Sequence, residues 1–173
     1  MYHRVWLAPI QKPRSHQNIV ILDYDDTILP TTFLDPEDEA DMEHLVLKFK
    51  DKLAAVEEQV LTLLKNFLQV SKVLIITNAK IGWVEYSSSI LLPKVHQMIM
   101  QYIPVISARG QFEHKFQGQI SEWKKAAFLS LWDIEGLIEK KAITNLIVIG
   151  DAQYEMDAAK NFQKSAQQTC LAK

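Results

Sequence analysis

The chain has 173 residues, 48% of them hydrophobic and 23% charged, with a formal net charge of −2. That is the profile of one ordinary globular domain with a sizeable core, and its balance gives no reason to expect bulk affinity for nucleic acid or for a membrane surface. Cys170 is the only cysteine, which excludes an internal disulfide and makes a reducing compartment, cytosol or nucleus, the default expectation.

Residues 1–17 read as an N-terminal tail or peripheral strand, with Val5-Trp6-Leu7 available to dock on the body. They lack an apolar core followed by a small-residue cleavage site, so no signal peptide is expected. No stretch of the chain approaches the ~20 apolar residues that span a bilayer. Residues 18–173 form the expected core domain. Asn18 to Asp23 is the first strand, a short apolar run of the kind buried on both faces of a parallel sheet. A loop over Ile28 to Leu34 and an acid-rich helix start at Asp35-Pro36-Glu37-Asp38-Glu39 follow.

From Glu43 to Gln69, Leu45, Phe49, Leu53, Val56, Val60, Leu64 and Phe67 recur at three- and four-residue steps, which predicts one long amphipathic helix. Val73 to Ile76 is the second strand, ending in Thr77-Asn78. Pro93 opens a helix to Tyr102, and Pro104 to Ser107 is a third strand. Arg109 to Ile120 reads as a loop, and Ser121 as the cap of a helix from Glu122 to about Glu139. Leu146 to Ile149 is the fourth strand, closed by Gly150-Asp151. A helix from Tyr154 to Gln163 and a fifth strand begun by Thr169-Cys170-Leu171 complete the pattern. Alternating strands and helices predict an α/β fold: a Rossmann-like three-layer sandwich on a mostly parallel sheet of about five strands.

In such sheets ligands sit beyond the carboxyl ends of the strands. Three expected strands end there in polar groups: Asp23, Asp25 and Thr27; Thr77 and Asn78; and Asp151. Two carboxylates about 4 Å apart repel by roughly 4 kcal/mol at an effective dielectric of 20, and a hard cation such as Mg²⁺ removes that penalty. Lys124 or Lys125 opens a nearby helix and could add an ammonium. Carboxylates, a hydroxyl and an ammonium suit phosphoryl transfer, which depends mainly on positioning and charge stabilisation. The histidines show no ligand spacing and the glycines no GxGxxG pattern.

These motifs resemble the haloacid dehalogenase-like (HAD) superfamily of aspartyl-phosphate phosphohydrolases. Asp23-Tyr24-Asp25-Asp26-Thr27 matches its DxDxT motif, and Val73 to Thr77 its second motif. Lys124 or Lys125 matches its lysine, and Gly150-Asp151-Ala152-Gln153-Tyr154-Glu155 its GDxxxD/E motif. The four occur in family order between Ile19 and Glu155. The resemblance implies Asp23 as nucleophile, Asp25 as general acid and then base, Thr77 as a donor to the phosphoryl group, and Lys124 as its counter-charge. It implies Mg²⁺ held by Asp23, the backbone carbonyl of Asp25, and Asp151, with Glu155 reaching it through water and Asp157 able to share that task.

Lys124 is preferred over Lys125 because Trp123-Lys124 and Ile106-Ser107-Ala108-Arg109 are similar to an uncharacterised eukaryotic subgroup of the family. Thr27, Asn78 and Arg109 are further candidates for substrate contact. Trp83 could also reach substrate, although packing at a helix start is its simpler role. Neither interval that carries a cap domain in other members has room for one here. In the family an open site often goes with a macromolecular substrate, such as a phosphoprotein, or with closure by an oligomeric neighbour. Oligomeric state is open, and so are two alternatives: a small-metabolite phosphatase closed by oligomerisation, and a catalytically idle binding scaffold on the same fold. A signalling receiver domain fits poorly, because Asp51 falls inside a helix where that fold needs a strand.

Overall fold

A computed structural model describes residues 18–36, 39–133 and 145–171, with side chains omitted for 39–40 and 166–171. The run Ile19-Val20-Ile21-Leu22 lies in β1 (Asn18–Leu22) and is buried on both faces of the sheet. β1 pairs in parallel with β2 (Lys72–Thr77) and with β4 (Asn145–Ile149), and β2 pairs in parallel with β3 (Val105–Ser107). Among the described residues the sheet has four strands, in the order β3-β2-β1-β4. Val20, Leu22, Val73 and Ile75 share one apolar cluster, while Ile19, Ile21, Leu74 and Ile76 share another. Alternate residues of a strand point to opposite faces, so each cluster is one face of the sheet.

The first face is covered by α2 (Glu39–Lys48), α3 (Lys50–Val70), α4 (Trp83–Leu91) and α5 (Pro93–Tyr102), through Leu45, Leu64, Val84 and Ile99 among others. The second is covered by α7 (Ile120–Ser130) and α8 (Gln153–Leu171), with Trp123, Phe128 and Phe162 at its centre. Trp132 stacks on Phe162 at 4.5 Å between ring centroids. Two short helices, α1 (Thr31–Leu34) and α6 (Ala108–Phe112), lie in loops at the carboxyl end of the sheet. The result is an α/β protein with helices on both faces of a parallel sheet. No helix of the described residues is long and apolar enough to cross a membrane.

Several expectations are corrected. Where a fifth strand was expected at Thr169 to Leu171, α8 runs on to Leu171. The run from Gln163 onward holds no glycine or proline to stop it. The single long helix over Glu43 to Gln69 is two, because the backbone leaves helical geometry at Phe49 (φ −116°, ψ 22°). The bend lets α2 pack against α4 while α3 lies along β2 and α5. Part of the loop after Arg109 is α6, whose first turn is capped by Ser107 Oγ accepting from the Gly110 N–H at 2.9 Å. Gln119, not Ser121, is the residue before α7, and its side chain makes no capping bond. α7 ends at Ser130, short of the expected Glu139, and residues 131–133 form a turn; the tail at 1–17, the acids Glu37 and Asp38, and residues 134–144 lie outside the described residues.

Candidate active site

The carboxyl ends of β1, β2 and β4 lie side by side in the sheet, so the residues just past them meet in one crevice. Asp23, Asp25, Asp26, Thr77, Asn78, Ala79, Asp151 and Tyr154 line it, around a space of about 250 Å³. Beneath it Lys124 is only 1% exposed. Its ammonium donates to Asp23 Oδ1 at 2.5 Å and pairs with Glu155 Oε1 at 2.9 Å. Lys125 turns outward and binds Glu122 at 2.7 Å, so the lysine that enters the site is Lys124. Burial pushes the Asp23 carboxyl up to about 6, with the Lys124 charge opposing and the Glu155 charge adding to the rise.

The second carboxylate is held differently. Asp25 Oδ1 accepts from Thr31 Oγ1 at 2.7 Å and from Trp83 Nε1 at 2.8 Å. Thr77 Oγ1 lies 3.4 Å from Asp25 Oδ2, a long contact, and accepts from the Ala79 N–H at 3.0 Å. The loop that carries Asp25 is braced from within. The Tyr24 carbonyl accepts from the N–H groups of Thr27, Ile28 and Leu29. Asp26 takes a left-handed backbone (φ 54°), a conformation that Asp tolerates better than most residues. Its carboxylate binds both the backbone and the hydroxyl of Thr32. These contacts fold α1 back over the loop and bring Thr31 to Asp25.

The GD turn is equally specific. Glu155 Oε2 accepts from the Ala152 N–H at 3.1 Å, tying the carboxylate across the start of α8. A Cβ at Gly150 would lie 2.4 Å from Glu155 Cγ, so glycine is what lets that side chain pass. Asp157 instead accepts from Gln153 on the helix surface. Tyr154 places its ring 5.7 Å from the Lys124 ammonium. Burial, with the nearby Glu155, Asp23 and Asp151 charges, raises its phenol to about 12.

Asp23, Asp151 and Glu155 each offer a carboxylate oxygen, all within 4.8 Å of one another. Against the carboxylates of Asp23, Asp25, Asp151 and Glu155, the described residues set one buried cation, Lys124. Hard oxygen donors with an excess of negative charge fit Mg²⁺. The Asp25 carbonyl takes no part in the backbone hydrogen bonds of its turn, which leaves that oxygen available too. Glu155 Oε2 accepts from Ala152, while Oε1 is ion-paired with Lys124 at 2.9 Å but accepts no hydrogen bond, and the residue suits an outer position.

Of the residues singled out from sequence, Asp23, Asp25, Thr77, Asn78, Asp151, Lys124 and Glu155 come together. Both polar atoms of the Asn78 side chain are buried at the crevice wall, where the Tyr154 phenol is the group near enough to interact with them. Thr27 faces elsewhere: its hydroxyl is buried and unpartnered, and the residue lines a separate hollow against α3. Arg109 lies outside the crevice, in an adjoining cavity. Thr31 and Tyr154 were missed. Trp83, which packing alone would explain, is a donor to Asp25.

Comparison of the chain with family models, curated proteins and solved structures finds no match. The reading of the site rests on its motifs and its geometry.

Proposed function

We propose that this chain is a Mg²⁺-dependent phosphomonoester hydrolase of the haloacid dehalogenase type, working through an aspartyl phosphate. The observation that carries this reading is the pairing of one carboxylate held by a buried lysine with a second, two residues on, held by neutral donors. Each is suited to a different task. Asp23, beside Lys124, is the nucleophile: a carboxylate oxygen attacks phosphorus, and the bond from phosphorus to the leaving oxygen breaks. Asp25 gives its proton to that leaving oxygen. It then takes a proton from water as the water attacks phosphorus, releasing inorganic phosphate and restoring Asp23.

Thr77 reaches the same space and has only a long contact to Asp25 for its proton, so it can donate to a phosphoryl oxygen. The Asn78 amide, buried at the same wall beside Tyr154, is a second donor. Lys124 keeps Asp23 oriented and offsets the negative charge brought by the substrate. Mg²⁺, held by Asp23, Asp151 and the Asp25 carbonyl with Glu155 outside them, would screen the anionic nucleophile from the anionic phosphoryl group.

Hydrolysis of 4-nitrophenyl phosphate tests the reading. Activity that requires Mg²⁺ and disappears in Asp23→Asn is expected. Activity that persists in that variant contradicts the assignment. A folded wild-type protein that binds Mg²⁺ and hydrolyses nothing favours the second reading, an idle scaffold on this fold.

A further inference from the structure

Beside the catalytic crevice, and sharing Ala79 with it, lies a second cavity of about 430 Å³. Thr31, Thr32, Asp35, Pro36, Lys80, Trp83 and Arg109 complete its wall. Its position is set by Asp25, since Thr31 and Trp83 are the two side chains that donate to Asp25 Oδ1. A general acid must lie against the leaving oxygen. The group attached to that oxygen therefore extends past Asp25, and this cavity is the space there.

The wall changes sign relative to the crevice. The crevice is lined by carboxylates, whereas this wall carries Lys80 and Arg109 against one lining acid, Asp35, with Glu113 beside the two cations just outside the lining. Lys80 is exposed and makes no ion pair among the described residues. Arg109 binds Glu113 through Nε at 3.0 Å and lies over the Trp123 ring, 5.8 Å from its centroid, with its terminal nitrogens outside that hydrogen bond. Trp83 and Pro36 add flat apolar surface. We propose that this cavity binds the leaving group of the substrate, and that the substrate is a phosphomonoester whose leaving group is flat and carries a second anion, read by Lys80 and Arg109. This rests on the reading of Asp25 as the general acid.

The test compares 4-carboxyphenyl phosphate with its neutral isostere, 4-carbamoylphenyl phosphate, in the wild type and in the double variant Lys80→Met/Arg109→Met. The wild type is expected to favour the carboxy ester in kcat/KM by about tenfold, the worth of roughly 1.4 kcal/mol of charge pairing. In the double variant the ratio is expected to fall towards one. 1,4-Phenylene bisphosphate, run alongside, tells a carboxylate from a phosphate as the preferred second anion. A ratio near one in an active wild type overturns the pocket while leaving the phosphatase reading intact.

A binding measurement separates the two claims if neither ester reacts. In ¹⁵N-labelled protein, 4-hydroxybenzoate is expected to shift the Trp83 indole N–H resonance in the wild type and not in the double variant. That result with inactive protein shows an anion site here but overturns its assignment to the leaving group of a phosphomonoester. No shift, or the same shift in both proteins, overturns the pocket.

Discussion

Trp83 donates its indole N–H to Oδ1 of Asp25 at 2.8 Å, joining the first residue of α4 to the loop after β1. The bond fixes one carboxylate oxygen and leaves the other towards Thr77 and the crevice. Trp83→Phe keeps the ring and removes the donor. A hydrogen bond to a charged group contributes about 1.5–3 kcal/mol. If roughly half of that is realised in the transition state, kcat falls about tenfold with KM changed far less. Steady-state kinetics on an aryl phosphate checks this, and a change in KM alone would assign Trp83 to substrate binding instead.

Lys124 is the counter-charge of two buried carboxylates. Lys124→Met leaves Asp23 and Glu155 facing each other without it, and breaking a buried pair in this way costs about 3–5 kcal/mol. Urea unfolding is expected to show a loss of that order in metal-free protein. Millimolar Mg²⁺ should restore part of it, since a cation then stands between the same carboxylates.

The pH dependence of stability has a definite sign. Asp23 titrates near 6 when folded, against an ordinary value of 3.8. Between those values the folded state holds a proton that the unfolded state has lost, so stability falls as pH rises through this window. Below about pH 4 the contribution is fully present, and above about pH 6 it is gone. Two pH units correspond to roughly 3 kcal/mol. The stability of Asp23→Asn relative to the metal-free wild type should therefore rise by up to that amount between pH 4 and pH 7. Parallel profiles of the two proteins would contradict the shift.

Away from the site, α5 begins without a side-chain cap of its own, and Glu57 of α3 supplies one. Its Oε1 accepts from the Lys94 N–H at 2.7 Å, and its Oε2 lies 3.7 Å from the Lys94 ammonium. Glu57→Ala should cost about 1–2 kcal/mol in urea unfolding. Activity per folded molecule should stay at the wild-type level.

The strands and most of the site were legible because their signals are local. Ile19 to Leu22, Val73 to Ile76 and Leu146 to Ile149 are apolar runs that end in polar residues, and parallel pairing brings those ends together. What escaped the sequence depends on tertiary contact. Nothing near Phe49 marks the break between α2 and α3, because the apolar stripe continues through it. The bend is set by two different packing partners. Thr31 reaches Asp25 only because Asp26 ties down Thr32 in a left-handed turn, and Trp83 reaches it from another strand end. The short apolar stretch at Thr169 to Leu171 suggested a strand, but helix α8 continues through it.

The most direct test of the account is the covalent intermediate. Wild-type protein mixed with Mg²⁺ and an aryl phosphate is quenched in acid within one turnover, digested and analysed by mass spectrometry. The account predicts phosphate on the peptide containing Asp23, released by hydroxylamine as an acyl phosphate must be, and none in Asp23→Asn. Hydrolysis in the wild type with no phosphorylated peptide at Asp23, or with the label on another residue, would contradict it.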